Sequence, residues 1–389
     1  MTSNLTLPGY RTVRVERNLG VRVYVKALEA PLTCLRCAGA RLRSKGLYRR
    51  RVRHLPVMGM PTELVIQCRR YACCDCGRSF VQRLPGVMPG RRTSEPWRAA
   101  IYERHHDGIC ASVLARREKS SAATVGRIYA QFTERKAKER LSLDCPRVLG
   151  IDEHTLHRGQ RFATTFCDLK NRRVFDISPG RSEAELRGFL SGLRGRERVR
   201  VVCIDLSASY RVLVKRWFPR AAIVADRFHA IRIVGEHLMR LARQLVPQLG
   251  WNRAWLGLLR SRSDRLEPEH SRRLQALLEQ HPALAPIYEM KERLGALLRL
   301  KLQSKRACRE HIAQLLDAIR LLRESGFDAA LALAKTLSDW SQEIGRMWRF
   351  SRTNAVTEGF HRKFKLIQRR AYGFRSFENY RLRVIAQCG

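Results

Sequence analysis

The chain has 389 residues, 44% of them hydrophobic and 29% charged, which excludes a disordered polymer and leaves room for several domains. Lys and Arg number 76 against 35 Asp and Glu, a formal net charge of +41. An excess of this size repels itself unless polyanions neutralise it, so the expected partner is nucleic acid, whose phosphates release counterions at each basic contact. A ribosomal or histone-like packing protein shares the charge but needs neither this length nor the isolated acids described below.

The N-terminal MTSNLTLPGYRTVRVER lacks the apolar stretch of a signal peptide, and no run of about 18 apolar residues follows. The expected setting is therefore a reducing compartment, with no membrane partner. Residues 1–90 carry CLRC at 34–37 and CCDC at 73–76, with alternating runs such as TELVIQC between them that predict strands. Two CxxC knuckles present four thiolates to one tetrahedral ion, so Cys34, Cys37, Cys73 and Cys76 are the expected ligands of a structural Zn²⁺ in a zinc ribbon. Cys68 and Cys74 lack that spacing, yet their closeness to the second knuckle keeps the choice among Cys68, Cys73, Cys74 and Cys76 open. Residues 91–143 predict three helices, starting at Ser94, near Ala111 and near Ala122. The last two, joined by a short polar turn, have the form of a helix-turn-helix, with Arg127 as a candidate DNA contact. A plain helical packing module fits the pattern equally well.

From 144 to 230 the pattern predicts three successive strands (RVLGIDEH, RFATTFCDLK, RRVFDISPG), a helix, the apolar strand VRVVCIDLS, a helix and the strand AAIVADR. That order implies an α/β fold with a mixed sheet and helices on its faces. Residues 231–345 are helical in pattern throughout and read as an insertion serving DNA contact or self-association. Residues 346–389 hold TNAVTEGFHRKFKLIQRR, where Glu358 opens a basic helix with Asn354 as a good N-cap. Glu358, Arg362, Lys365 and Arg369 recur at helical spacing on one face, and Phe360, Phe364, Ile367 and Ala371 on another, so the basic stripe is a candidate backbone-binding surface.

Asp152 follows VLGI and Asp205 follows VVCI, each at the carboxyl end of a predicted strand. Alone, each reads as a loop residue capping a turn; together, in a phosphate-seeking chain, they suit Mg²⁺ or Mn²⁺. Asp226 ends a further apolar run and His229 follows it; both are expected to support the site from behind. Asp168 and Asp176 are expected to shape hairpin turns.

The order of Asp152 in GIDEH, Asp205 in IDLSASY, DRFH at 226–229 and Glu358 in TNAVTEGFHRKFKLIQRRAYGFRSFENYR resembles the DDE transposases of the ISL3 insertion-sequence family. The paired knuckles followed by helices match that family's layout. The resemblance implies a ribonuclease H-like core with a helical insertion before the last acid, Asp152, Asp205 and Glu358 as catalytic residues holding two Mg²⁺ or Mn²⁺ ions, and cut-and-join chemistry on double-stranded DNA. Two element ends must meet, so a homodimer or larger assembly is expected. A nuclease of the same fold without strand transfer, a catalytically silent DNA-binding regulator and a zinc-dependent RNA-binding factor are the rival readings.

Overall fold

The computed structural model describes residues 7–141, 143–157, 161–350 and 354–389. Thr353, the first residue of the C-terminal motif, lies outside them. The chain forms two compact units, Met1–Arg135 and Lys136–Gly389.

The first unit is built on a five-stranded sheet: β1 (Tyr10–Arg17), β2 (Val21–Ala27), β3 (Leu42–Val57), β4 (Met60–Cys73) and β5 (Ser79–Val81), in the order β1-β2-β4-β3 with β5 beside β4. The long β3–β4 hairpin turns at Met58–Gly59, both with positive φ (49° and 75°), the conformation that matches the twist of antiparallel strands. Val23, Val25, Val52, Leu64 and Ile66 alternate inward and close its core. Three helices follow: α1 (Glu95–His106), α2 (Ala111–Arg117) and α3 (Ala122–Leu141). Ser94 caps α1 by accepting the Trp97 N–H, and Trp97, Ile101, Leu114, Val125 and Ile128 pack the three together.

The second unit contains β6 (Val148–His157), β7 (Arg161–Asp168), β8 (Arg173–Pro179), α4 (Glu183–Ser191), β9 (Val201–Ile204), α5 (Ala208–Trp217) and β10 (Ala222–Ala225). The sheet runs β10-β9-β6-β7-β8. β6, β7 and β8 pair antiparallel while β9 and β10 join β6 in parallel, which is the mixed sheet expected from the strand order. Then come α6 (Arg227–Leu245), α7 (Arg253–Arg260), α8 (Pro268–Gln280), α9 (Ala285–Arg299), α10 (Lys305–Glu324), α11 (Asp328–Asp339) and α12 (Ser341–Arg349). Their Leu-rich faces merge with one face of the sheet (Leu149, Ile151, Val202, Ile204) in a single core. Buried Arg227 ties this block to the sheet's edge by donating to the carbonyls of Leu298, Leu300 and Met347 at 3.1, 2.9 and 3.1 Å. The opposite face of the sheet is covered by α13 (Ala355–Arg370) and α14 (Phe377–Cys388), with Phe364, Ile367, Tyr380 and Val384 packed on Cys167, Ile177 and Cys203.

Three expectations are corrected. Asp152 is not at a strand end but inside β6, because β7 keeps pairing with β6 beyond the point where β9 stops. Asp176 shapes no turn: it lies within β8, nine-tenths buried, and takes two hydrogen bonds from Arg381 of α14 at 2.7 and 2.6 Å. Asn354 makes no side-chain cap on α13; its amide is committed elsewhere, as described below. Asp168 does shape its turn, accepting the N–H groups of Lys170 and Asn171 at 3.1 Å each.

Candidate active site

Strand register brings the acids together. Gly150 of β6 pairs with Cys203 of β9, and Ala225 of β10 pairs with Ile204. Two residues on from Gly150 and Cys203, Asp152 and Asp205 therefore stand level on neighbouring strands, and Asp226 stands level with Asp205 on the other side. The pleat turns Asp152 and Asp205 to the same face as Gly150 and Cys203, the one that α13 covers.

α13 is seated against these strands by the residue that precedes it. Buried Asn354 donates its backbone N–H to Asp226 Oδ1 at 2.8 Å and its side-chain amide to the Ile151 carbonyl at 3.1 Å. The approach is so close that a Cβ on Gly150 would lie 2.6 Å from Asn354 Oδ1, which explains glycine at that position of GIDEH. One turn on stands Glu358. Burial raises its pKa, as do the charges of Asp226 and Asp205, while His229 opposes them.

Asp205, Asp226 and His229 form one cluster, with ligand atoms within 4.8 Å of one another. His229 Nδ1 is 2.8 Å from both Asp205 Oδ1 and Asp226 Oδ2. Its one hydrogen is accepted by Asp226 Oδ2, and Asp205 Oδ1 faces the same nitrogen as its ion-pair partner. Burial alone would lower the His229 pKa, but the two carboxylates outweigh it and push it up to about 10. Asp152 is 6% exposed, and burial together with the Asp205 charge pushes it up to about 8. Two carboxylates crowded on one imidazole nitrogen, a carboxyl that resists ionisation and an imidazole that resists deprotonation are all signs of concentrated negative charge. Hard oxygen donors of this kind fit a divalent cation such as Mg²⁺ or Mn²⁺.

Behind Asp152 runs a chain of buried polar contacts. His361 Nδ1 faces Asp152 Oδ2 at 3.7 Å, and its Nε2 is 3.0 Å from Thr165 Oγ1. Thr165 Oγ1 in turn is 3.0 Å from His154 Nδ1, whose Nε2 is 2.9 Å from the Tyr380 hydroxyl. Burial pushes His154 down to about 3 and His361 down to about 4, so both rings are neutral and act as fixed dipoles around the carboxylate.

The sequence reading singled out Asp152, Asp205, Glu358, Asp226 and His229; in the fold Asp205, Asp226 and His229 cluster, Asp152 stands level with Asp205 on the next strand, and the head of α13, with Glu358 one turn in, is seated beside them. It missed Asn354 as a bridge and His361 altogether. The signal was present: Asn354, Glu358, His361 and Lys365 follow one another at steps of four, three and four on one helical face. Arg362, Lys365 and Arg369 are exposed along α13, and Arg127 is exposed on α3, where it donates to Thr124 Oγ1 at 3.1 Å.

In the first unit, Cys34, Cys37, Cys73 and Cys76 also lie within 4.8 Å of one another. Cys34 and Cys76 sulfurs are 3.8 Å apart and Cys37 and Cys73 sulfurs 3.5 Å, close to the roughly 3.8 Å separating sulfurs at about 2.3 Å from a tetrahedral Zn²⁺. The two knuckles repeat one geometry. Cys34 N–H donates to Gly39 O and Cys73 N–H to Arg78 O, and a residue of positive φ follows each CxxC, Ala38 and Gly77. Backbone N–H groups of Cys37 and Arg36 bring the Cys34 thiol down to about 7. The Gly39 N–H favours the Cys37 thiolate too, but the sulfurs of Cys73 and Cys76 push that thiol up to about 12, a crowding that a divalent ion relieves. Cys68 is buried in the sheet with its thiol turned to Ile66 O, and Cys74 is exposed, so neither joins the cluster.

Comparison with known proteins agrees with this division. Residues 149–384 match the family model for ISL3-type transposases, described as "Transposase", and residues 30–76 match the model described as "zinc-finger of transposase IS204/IS1001/IS1096/IS1165". The chain is similar to the transposase for insertion sequence element IS1001 of Bordetella parapertussis, 29% identical over 413 residues that cover 97% of this chain and 95% of that protein.

Proposed function

Since the chain belongs to the ISL3 transposase family, we propose that it cuts and joins the ends of an insertion sequence, with Asp152, Asp205 and Glu358 as its acidic triad. The observation that carries this reading is that Asp152 in β6 stands level with Asp205 at the end of β9, while the head of α13 is seated beside them, where the charges of Asp226 and Asp205 act on Glu358. Asp152, Asp205 and Glu358 would hold two Mg²⁺ or Mn²⁺ ions, with Asp226 fixing the His229 ring beside them. Bound there, such ions lower the pKa of an attacking water or 3′-hydroxyl and offset charge on the leaving oxygen of an in-line phosphoryl displacement.

The chain's own contribution is positioning. Asn354 holds the head of α13 to Ile151 and Asp226, which would bring Glu358 to acids that the sheet has already aligned. Arg362, Lys365 and Arg369 extend from Glu358 down an exposed face and would hold the DNA backbone in line with the carboxylates. Three antiparallel strands followed by two parallel ones, with the last acid on a later helix, support a ribonuclease H-like core at 144–230 and 346–389, with the helices of 231–345 inserted before that acid. The zinc ribbon (1–90) and a helix-turn-helix (91–143), whose second helix carries Arg127, would bind the element's terminal inverted repeats. The enzyme would act in the cytoplasm, on the bacterial nucleoid, as a homodimer or larger assembly that pairs two ends before joining them to target DNA.

The test uses duplexes of the DNA flanking the gene, with Mn²⁺. Single Asp152→Ala, Asp205→Ala and Glu358→Ala substitutions are expected to abolish strand cleavage and strand transfer while DNA affinity stays within about twofold of wild type. Cleavage at the wild-type rate by any one of them removes that residue from the triad, and cleavage without transfer of 3′-hydroxyl ends by the wild type overturns the joining activity.

A further inference from the structure

The C-terminal end of α13 terminates in an unusual way. Gly373 N–H donates to Gln368 O at 3.1 Å and Tyr372 N–H to Arg369 O at 3.2 Å, the paired bonds of a Schellman motif. In that motif the left-handed position usually belongs to glycine. Here it is Tyr372, at φ +52°, with Gly373 following it at φ +95°. A bulky side chain in this conformation costs on the order of 1 kcal/mol, and nothing in the core offsets it, because Tyr372 is 92% exposed. A backbone strained to hold an aromatic ring out into solvent points to a ligand for that ring.

The ring stands at the rim of a cavity of about 440 Å³. Phe374 and Phe377 supply apolar wall, and Lys365, Arg369 and Arg375 supply positive charge; among the described residues no carboxylate lines it. One face of Phe374 is covered by the Arg383 guanidinium, 5.2 Å from its centroid, and Tyr380 closes the back at 5.2 Å from the same ring. Lys365 and Arg369 belong to the stripe headed by Glu358, about 10 and 16 Å further along the helix axis at 1.5 Å per residue.

We propose that this cavity receives a single nucleobase swung out of the DNA that lies along α13, stacked on Tyr372, with the flanking phosphates on Lys365, Arg369 and Arg375. The inference rests on the transposase reading and adds to it a means of opening the duplex within a few nucleotides of the Glu358 carboxylate. The volume admits one base, the aromatic wall matches its faces, and the cations match the backbone on either side. Strain in the Tyr372 backbone is then part of the device, since it keeps the ring presented before DNA arrives.

The experiment measures binding alone, in EDTA, by fluorescence anisotropy of duplexes taken from the DNA flanking the gene. Each of the terminal positions is mismatched in turn, which removes the pairing that a swung-out base must give up. For the wild type, one position is expected to bind about tenfold tighter when mismatched than when paired. Tyr372→Gly should lose that gain, with an unchanged or higher Tm because glycine suits φ +52°, and Tyr372→Phe should keep it. A wild type with no favoured position, a gain that survives Tyr372→Gly, or a gain lost in Tyr372→Phe overturns the base pocket. Failure of the wild type to prefer these duplexes over scrambled ones overturns the transposase reading instead.

Discussion

Asp205 and Asp226 stand level at the ends of adjacent strands, yet their replacement by alanine should have opposite consequences for stability. Asp226 is fully buried and accepts the backbone N–H of His229 at 3.2 Å, the His229 ring N–H at 2.8 Å and the backbone N–H of Asn354 at 2.8 Å. In Asp226→Ala the ring can turn its hydrogen to Asp205 Oδ1, already 2.8 Å away. The two backbone donors have no substitute, and each orphaned N–H costs about 1–3 kcal/mol. The expected loss is about 4 kcal/mol, or a fall in Tm of roughly 10 °C for a unit the size of Lys136–Gly389. Asp205 gives up only its ion pair with the His229 ring, whose hydrogen Asp226 continues to accept. Asp205→Ala removes a half-buried charge from beside other carboxyls, so the Tm in EDTA should stay level or rise, while the stabilisation that Mn²⁺ gives the wild type should vanish. Thermal unfolding followed by circular dichroism, with EDTA and with Mn²⁺, reads both effects. Equal falls in Tm for the two variants, or an Asp226→Ala protein within about 2 °C of wild type, would refute the assignment of Asp226 as the structural acid and Asp205 as the open one.

Two further outcomes follow from the charges around these groups and from the cysteine cluster. Asp152, pushed up to about 8, and His229, pushed up to about 10, both hold protons in the native state that the unfolded chain gives up at lower pH. Metal-free stability should therefore decline as pH rises, from about 4 to 8 through Asp152 and from about 6.5 to 10 through His229. A bound divalent ion displaces those protons, so the Tm gain from Mn²⁺ should grow between pH 6 and pH 8; a gain independent of pH would contradict this. Elemental analysis should find about one zinc per chain, and Cys37→Ser should lower zinc content and DNA affinity while Cys74→Ser leaves both unchanged. Equal zinc loss in the two variants would move Cys74 into the ligand set.

Much of this molecule is local in origin and therefore legible in the chain. Two CxxC knuckles are each made by five or six consecutive residues, so their spacing pointed to the four sulfurs that cluster, and the fold set Cys68 and Cys74 aside. Apolar runs named the strands of the mixed sheet, because burial on both faces requires continuous hydrophobicity. The position of an acid at the end of such a run pointed to Asp205 and Asp226 for the same reason. The end of β6 was not legible in this way, since β7, not the local pattern, keeps Asp152 inside a strand.

The rest depends on residues that meet only when the chain is folded. Asn354 looks like a helix cap, and locally it is a good one; instead its amide binds Ile151 and its backbone binds Asp226, 203 and 128 positions away. His361 carries no motif, and its place beside Asp152 follows from packing α13 across Thr165 and Gly150. Composition, spacing and periodicity thus decided which groups this protein has to work with. Which carboxylate is held by hydrogen bonds and which is left open was decided by the tertiary structure, because that depends on donors supplied by distant segments and no periodicity in the chain encodes where they converge.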